Sequence, residues 1–154
     1  MKSIKKYETI INEALRSALE YDTPEGQINE FISFFGKHIG SDRIYIFEDD
    51  EEHHVTNNTY EWCAEGITPQ IEHLQGVNME VIDWWYDTFD EGKSVIISDV
   101  EELKGVHQVS YNMLKYQNVR KVVVSPLRHK GQIKGFFGVD NPPAVDYNAL
   151  TMFL

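Results

Sequence analysis

Residues 120–143 read R-K-V-V-V-S-P-L-R-H-K-G-Q-I-K-G-F-F-G-V-D-N-P-P, and this stretch decides the fold. Two apolar runs, 122–127 and 133–139, flank a short polar turn at 128–132 that contains Gly131. The pattern predicts a β-hairpin whose turn uses glycine at positive φ. Both runs are apolar at consecutive positions, which predicts a hairpin buried on both faces of its sheet. We therefore expect a three-layer α/β/α domain built around this antiparallel pair.

The composition sets bounds on the class of protein. The 154 residues suit one domain, and 42% hydrophobic and 12% aromatic content excludes a disordered chain. A net charge of −11, from 25 acidic and 14 basic residues, opposes binding to nucleic acid or to anionic membranes. The sequence shows neither a membrane-length apolar run nor a secretion signal, and Cys63 is its single cysteine. We expect a cytoplasmic protein in a reducing compartment.

The first helix is expected at residues 4–21. Its apolar side chains follow the 3-4-3-4-3 spacing of a heptad seam, and they are Ile4, Tyr7, Ile11, Ala14, Ala18 and Tyr21. Two explanations stay open: a helix that dimerises and couples to a neighbouring domain, and a helix that lies on its own sheet. Two and a half heptads do not separate them. We predict a coupling segment at 1–23 and a folded domain at 24–154.

The second helix has clear start and stop residues. Thr23 can cap it, Pro24 suits its first position, and Gly40 is placed to end it near residue 39. Asn78 can likewise cap a helix at 79–91. The other expected elements are strands at 42–48, 55–64 and 94–97, a solvated turn at 48–54, a short helix at 99–105 and a helix at 107–117.

A last apolar helix is expected to begin at Asp146. Its pattern of Tyr147, Leu150, Phe153 and Leu154 is followed by no capping residue. We expect that the chain is a domain of a longer polypeptide.

Four strings in this order carry a family resemblance: G-S-D-R-I-Y-I-F-E at 40–48, N-T-Y-E-W-C-A-E-G-I at 58–67, N-V-R-K-V-V-V-S-P-L at 118–127 and G-F-F-G-V-D-N-P at 135–142. Residues 24–154 resemble a GAF domain of the kind found in bacterial signalling proteins, often upstream of diguanylate cyclase or histidine kinase domains. The resemblance implies a six-stranded antiparallel sheet. It also implies terminal helices on one face, often dimeric, and a small-molecule pocket under middle helices on the other.

The resemblance further implies which side chains would meet a ligand. Tyr45 and Phe47 share one face of the first strand, and that face would look into the pocket. An aromatic wall from the middle helices would hold a planar or apolar molecule. The predicted ligand-binding residues are Tyr45, Phe47, Trp85, Phe89, Tyr111 and Met113. The alternative is that these side chains only fill the core. Trp84 lies off the helical stripe, so it is expected to be exposed or to face a partner or ligand.

Enzymatic and cofactor chemistry finds little support in the sequence. Free-methionine-sulfoxide reductases are GAF enzymes that use a nucleophilic and a resolving cysteine, whereas this chain has only Cys63. Bilin attachment in phytochrome-like relatives uses a cysteine of the helical middle, and none lies there. The acidic and histidine run at 48–54 is extended, so its neighbouring side chains do not converge on one metal ion. We expect no catalytic residues, no metal site and no evident cofactor.

These patterns together predict a non-enzymatic sensory GAF domain. An unidentified small molecule would shift the arrangement of dimer helices and so control an output domain of the same polypeptide. Two alternatives remain, a ligand-free dimerisation spacer and a redox enzyme that relies on Cys63.

Overall fold

The centre of the molecule is one sheet of six strands. The computed structural model describes residues 2–143 and 147–151, with side chains from residue 5 onward. Every strand pair is antiparallel, in the order β3-β2-β1-β6-β5-β4. The predicted α+β class is therefore confirmed. The strands are β1 Arg43–Asp50, β2 Val55–Cys63, β3 Val77–Asn78, β4 Val95–Ile97, β5 Val122–His129 and β6 Gln132–Asp140.

Helices cover both faces of this sheet. One layer contains α1 (Lys2–Ala18), α2 (Pro24–Ile39) and α5 (Tyr147–Thr151), which share a core with one side of β1, β5 and β6. The other layer contains α3 (Asp83–Asp90) and α4 (Gln108–Tyr116) with two 3-10 turns, Met79–Ile82 and Val100–Leu103. The predicted three-layer arrangement is confirmed.

The hairpin at β5 and β6 is buried on both faces, as its consecutive apolar residues predict. Val122 and Val124 face the layer of α3 and α4, and Val123 faces the layer of α1 and α2. The turn is shorter than predicted. The strands pair as far as His129 and Gln132, and only Lys130 and Gly131 lie between them, with φ of 51° and 80°. Two successive residues at positive φ are what a two-residue hairpin turn of type I′ requires.

The predicted helix ends are largely confirmed by their hydrogen bonds. Thr23 accepts from the Gly26 backbone N–H at 3.1 Å, and Gly40 ends α2 at a φ of 77°. Asn78 accepts from the Glu80 N–H at 2.9 Å. The helix predicted at 79–91 is, however, divided into a 3-10 turn and α3, and the helix predicted at 4–21 ends at Ala18.

Two strand predictions need correction. β1 runs on to Asp50 because its acidic end still pairs with β2, so the turn is confined to residues 51–54. β3 has only two residues, Val77 and Asn78, and its length gives no periodic pattern that a sequence could reveal. Asp146, Phe153, Leu154 and the side chain of Ile4, all named in the predicted helices, lie outside the described residues.

The first helix packs against its own domain. Tyr7, Ala14 and Ala18 are buried in the core shared with α2 and α5. Among the described residues, Leu15 and, just after the helix end, Leu19 and Tyr21 stay exposed, at 51%, 76% and 47%, and of these three only Tyr21 belongs to the predicted seam. Most of the predicted seam therefore packs inside the domain, as the second explanation expects, and dimerisation through this helix remains a prediction.

Candidate ligand site

Two cavities lie between the sheet and the layer of α3 and α4. The first is lined mainly by apolar side chains over the middle of β1, and the second by polar side chains at the β1 start. Arg43 and Gln117 line both, so these two residues separate them. The two cavities are therefore two parts of one space between the sheet and the layer of α3 and α4, and Arg43 and Gln117 stand at the boundary between them.

The apolar cavity is small. Its volume is about 30 Å³, which holds about two water molecules. Ring packing explains this, because Phe47 stacks on Phe136 at 4.7 Å and Trp85 meets Phe136 edge-on at 5.5 Å. The Tyr45 ring lies directly over Gly138, where an added Cβ would come within 2.1 Å of it. A ligand larger than water would have to displace one of these rings.

The structure brings four of the six predicted ligand-binding residues together. Tyr45 and Phe47 line the apolar cavity from the sheet, and Trp85 and Met113 line it from the helices. Phe89 is fully buried and does not line it. Tyr111 also lies outside, where its hydroxyl donates to Glu101 Oε2 at 2.8 Å. Whether any of the six binds a ligand remains a prediction.

Trp84 has a structural contact of its own. Its indole Nε1 donates to Ser110 Oγ at 3.0 Å, and its ring stacks on His107 at 4.2 Å. Trp84 is partly buried and fastens α3 to the start of α4. The residue predicted to be exposed or to face a ligand therefore joins two elements of the covering layer.

Arg43 is the charged centre of the site. Although a charged residue, it is only 3% exposed. Its Nη1 donates to Asp140 Oδ2 at 2.6 Å and its Nη2 donates to the Thr68 carbonyl at 2.8 Å, while its Nε lies 3.6 Å from Glu61 Oε2. Burial raises the pKa of Asp140 to about 6, and the Arg43 charge opposes that rise. The guanidinium therefore joins β1, β6 and the loop after β2.

The polar cavity is larger, is bordered by that loop and is open to solvent at exposed lining residues such as Thr68 and Tyr116. Its volume is about 280 Å³. The Glu61 carboxylate accepts from the backbone N–H groups of Gln70 and Ile71 at 2.9 and 3.3 Å, which holds the loop over the β1 start. Four of its eleven described lining residues are carboxamides, and the lining is formed by Asp42, Arg43, Gly66, Ile67, Thr68, Gln70, His73, Tyr116, Gln117, Asn118 and Asn141.

Arg43, Gln70 and Gln117 were absent from the sequence-based prediction of the site. A sequence offers little to find them, since Arg43 and its partner Asp140 stand 97 residues apart. One indication was present: Arg43 falls on the same strand face as Tyr45 and Phe47, where an apolar residue would be expected.

Cys63 is poorly suited to act as a nucleophile. It is partly buried at the end of β2. Burial raises the pKa of its thiol, and the nearby Glu61 carboxylate adds to this while Arg43 opposes it. The thiol is therefore protonated at neutral pH, whereas the reactive form is the thiolate.

We expect the native protein to react slowly with iodoacetamide. At pH 7.5 its alkylation rate should be at least ~5-fold below that of an unstructured cysteine peptide, because both burial and the raised pKa reduce the thiolate fraction. The rate is read from the mass increase of the single cysteine, with the denatured protein as control. Alkylation faster than the peptide would contradict this assignment.

Metal ligands do not converge in the part of the chain that is described. Within residues 2–143 and 147–151, no group of three or more His, Cys, Asp and Glu side chains could hold an ion. In the acidic turn, His53 Nδ1 pairs with Asp50 Oδ2 at 2.7 Å.

Over the same residues, no helix is long and apolar enough to cross a membrane.

Solved structures with this architecture are numerous and distant in sequence. A far-red-absorbing dark state with bound biliverdin IXa superposes with a TM-score of 0.74 at 12% identity, covering 94% of this chain and 90% of that one. A phycocyanobilin-bound GAF domain from a cyanobacterial phytochrome gives 0.73 at 16% identity, covering 94% and 86%. The free methionine-R-sulfoxide reductase of Neisseria meningitidis, in complex with its substrate, gives 0.67 at 12% identity, covering 97% and 83%.

These likenesses define the fold. The chain is an α+β domain with a six-stranded antiparallel sheet covered on both faces, and that fold is the GAF fold. No protein-family model and no curated protein matches the sequence. The identities of 12 and 16% support the fold alone.

Proposed function

We propose that this chain is a non-enzymatic regulatory domain that senses a small molecule in the divided space beside Arg43. The observation that carries the proposal is the polar cavity of about 280 Å³, bordered by a loop that Arg43 and Glu61 hold in place. Structures of the same fold contain small molecules, two of them bilins and one the substrate of a reductase. Small molecules usually bind in concave pockets of this kind, with a few polar groups beside a mainly apolar wall.

Strand β1 offers a physical route from the ligand to the opposite face. Arg43 and Tyr45 face the cavities, whereas Ile44 lies between them and faces the core of α1 and α2. A ligand that moves β1 would therefore also shift the packing of α1, and the population of helix arrangements would change with it. We propose that this change reaches an output domain in a cytoplasmic bacterial signalling protein, through a homodimer that uses the terminal helices.

A covalently attached bilin does not fit this chain. Cys63 is its single cysteine and lies on β2, outside the helical middle. The apolar cavity of about 30 Å³ also leaves no space for a tetrapyrrole unless several rings move. A smaller molecule that enters from the polar cavity agrees better with the geometry.

The reductase alternative is opposed by the state of its only thiol. In thiol-dependent reduction of a sulfoxide, a thiolate attacks the sulfur and takes the oxygen as a sulfenic acid while the thioether leaves, and a second thiol then condenses with the sulfenic acid to a disulfide and water. Burial raises the pKa of Cys63, and the chain has no second cysteine.

The spacer alternative has one specific observation in its favour. Leu15 on α1 and Leu19, which directly follows the last residue of α1, are both exposed, and with the partly buried Ile11 they recur at every fourth residue along one side. A second copy could cover this face without any ligand. In that case the protein would sediment as a dimer and bind no metabolite.

The proposal is tested with a metabolite library, by thermal shift and native mass spectrometry. We expect at least one metabolite to raise the melting temperature, because a ligand that binds only the folded state stabilises it. The variant Gln117→Trp should abolish that binding, since Gln117 lines both cavities and makes no side-chain hydrogen bond within the described residues. Asn112→Trp, on the exposed side of the same helix, is the matched control and should bind normally. Absence of any ligand, or binding that survives Gln117→Trp, would contradict the proposal.

A further inference from the structure

The polar cavity is lined by a largely buried glutamine whose carboxamide has no partner within the described residues. Gln70 is only 7% exposed and lines the cavity. Within residues 2–143 and 147–151, its side-chain oxygen and nitrogen make no hydrogen bond, although its backbone N–H donates to Glu61. The Gln70 amide atoms are not among the fully buried unpaired atoms of the described residues, so they reach the accessible space of the cavity, where water or a ligand can pair with them.

A second carboxamide lines the same cavity from the helical layer. Gln117 stands at the end of α4, partly buried, and its side chain also lacks a partner among the described residues. Asn141 is already occupied, because its Nδ2 donates to Asp42 Oδ2 at 2.8 Å and to the Asn118 backbone carbonyl at 3.2 Å, whereas the Asn118 side chain is exposed to solvent. Among the lining carboxamides, the two glutamines are thus the ones that are both shielded from solvent and unpaired within the described residues.

The charges around the cavity argue against an anion. Arg43 is its only basic lining residue besides the exposed His73, and the guanidinium already donates to Asp140 and to the Thr68 carbonyl. Asp42 lines the cavity, and Glu61 lies next to Arg43. An anionic ligand would meet these carboxylates without a free cation to pair with, and desolvating a charge without a partner is costly.

A carboxamide presents an N–H donor beside a C=O acceptor. It is best complemented by a group that places a hydrogen-bond acceptor opposite the N–H and a donor opposite the C=O. Glutamine recognises the edge of a planar ring through such paired hydrogen bonds. We propose that the polar cavity binds an uncharged molecule through an amide or lactam edge, with Gln70 and Gln117 as the recognising residues. The inference rests on the proposed ligand-sensing function and names the ligand class for that site.

The test compares two molecules of the same shape, nicotinamide and nicotinate, on the full chain. In 1H–15N spectra, nicotinamide should shift the side-chain amide signals of Gln70 and the backbone signals of Thr68 and Ile71. Nicotinate replaces the amide by a carboxylate and should bind at least ~10-fold more weakly, about 1.4 kcal/mol. Equal binding of the two, or tighter binding of nicotinate, would overturn the inference and leave ligand sensing intact.

Variants assign the binding to the glutamines. Gln70→Leu and, independently, Gln117→Leu should each weaken nicotinamide binding at least ~5-fold, because each removes a side chain that hydrogen-bonds the amide group of the ligand. Gln132→Leu, at the exposed start of β6, is the matched control and should have no effect. If nicotinamide binds equally to both leucine variants, the inference is wrong.

A result in which neither nicotinamide nor nicotinate binds is also informative. If the metabolite library still gives a ligand that Gln117→Trp blocks, only the amide specificity fails. If the library gives none, ligand sensing fails as well, and the glutamines face ordered water alone. In that last case Gln70→Leu should leave the protein equally stable or more stable.

Discussion

Arg43→Met is expected to lower the free energy of unfolding by about 3–5 kcal/mol at pH 7.5. The substitution keeps most of the side-chain volume but removes the charge that pairs with Asp140 at 2.6 Å. Asp140 is 1% exposed, so its carboxylate would stay buried without a cation. The Thr68 carbonyl also loses its donor, which frees the loop over the polar cavity. Urea denaturation followed by circular dichroism measures the loss.

The same variant should carry a distinct pH signature. Asp140 has a folded pKa of about 6, above its unfolded value near 3.9, so the folded protein binds this proton more tightly. Its contribution to stability is therefore present at low pH and is lost as the pH rises from about 4 to 6, with a slope of at most ~1.4 kcal/mol per pH unit. In Arg43→Met the opposing charge is gone, so the folded pKa rises and the loss extends above pH 6.

Two further variants isolate the pair. In Arg43→Met/Asp140→Asn the added pH dependence should disappear, because no titrating carboxyl remains. Arg128→Met is the matched arginine control, since Arg128 is exposed and donates only to the Phe89 carbonyl. It should cost about 1 kcal/mol at most. A loss below 1 kcal/mol for Arg43→Met, or an equal loss at pH 5 and pH 8, would show that the pair does not hold the site.

Gly135→Ala is expected to cost about 3 kcal/mol or more, and to reduce the yield of folded protein. A Cβ added at Gly135 would lie 1.9 Å from the Phe47 carbonyl oxygen, at the point where β6 pairs with β1. Backbone atoms of two central strands cannot move apart without breaking the ladder, so the strain is not relieved by a rotamer change. Thermal unfolding followed by calorimetry measures the effect.

Gly76→Ala provides the control for this glycine. Gly76 has a φ of 61°, but an added Cβ would have no neighbour within 4 Å. It therefore tests backbone conformation without the steric conflict and should cost about 1 kcal/mol. If Gly135→Ala costs no more than Gly76→Ala, β1 and β6 are not as closely joined as the structure has them.

Local patterns were sufficient for much of the fold. Consecutive valines at 122–124 showed that two layers must cover β5, because neighbouring side chains of a strand point to opposite faces. Thr23, Pro24 and Gly40 marked α2, since caps act within a few residues along the chain. β3 could not be found in this way, because two residues form a strand only when β2 lies beside them.

The site depended far less on local pattern. The alternation of β1 was enough to place Tyr45 and Phe47 together over the sheet. Whether aromatic rings leave a cavity between them is decided by close packing among several elements, and Phe136 of β6 fills most of that space.

By itself, the sequence determined the layers, the hairpin and the acidic surface, because each depends on neighbours along one strand or helix or on composition alone. The tertiary structure decided where the interior is hollow and which charges lie beside it. Arg43 becomes a buried centre only when Asp140 and the loop at Thr68 reach it from distant parts of the chain. Folding also places Gln70 in the lining of the polar cavity, 7% exposed and with no side-chain partner within the described residues, which is why we propose it as a recognition group.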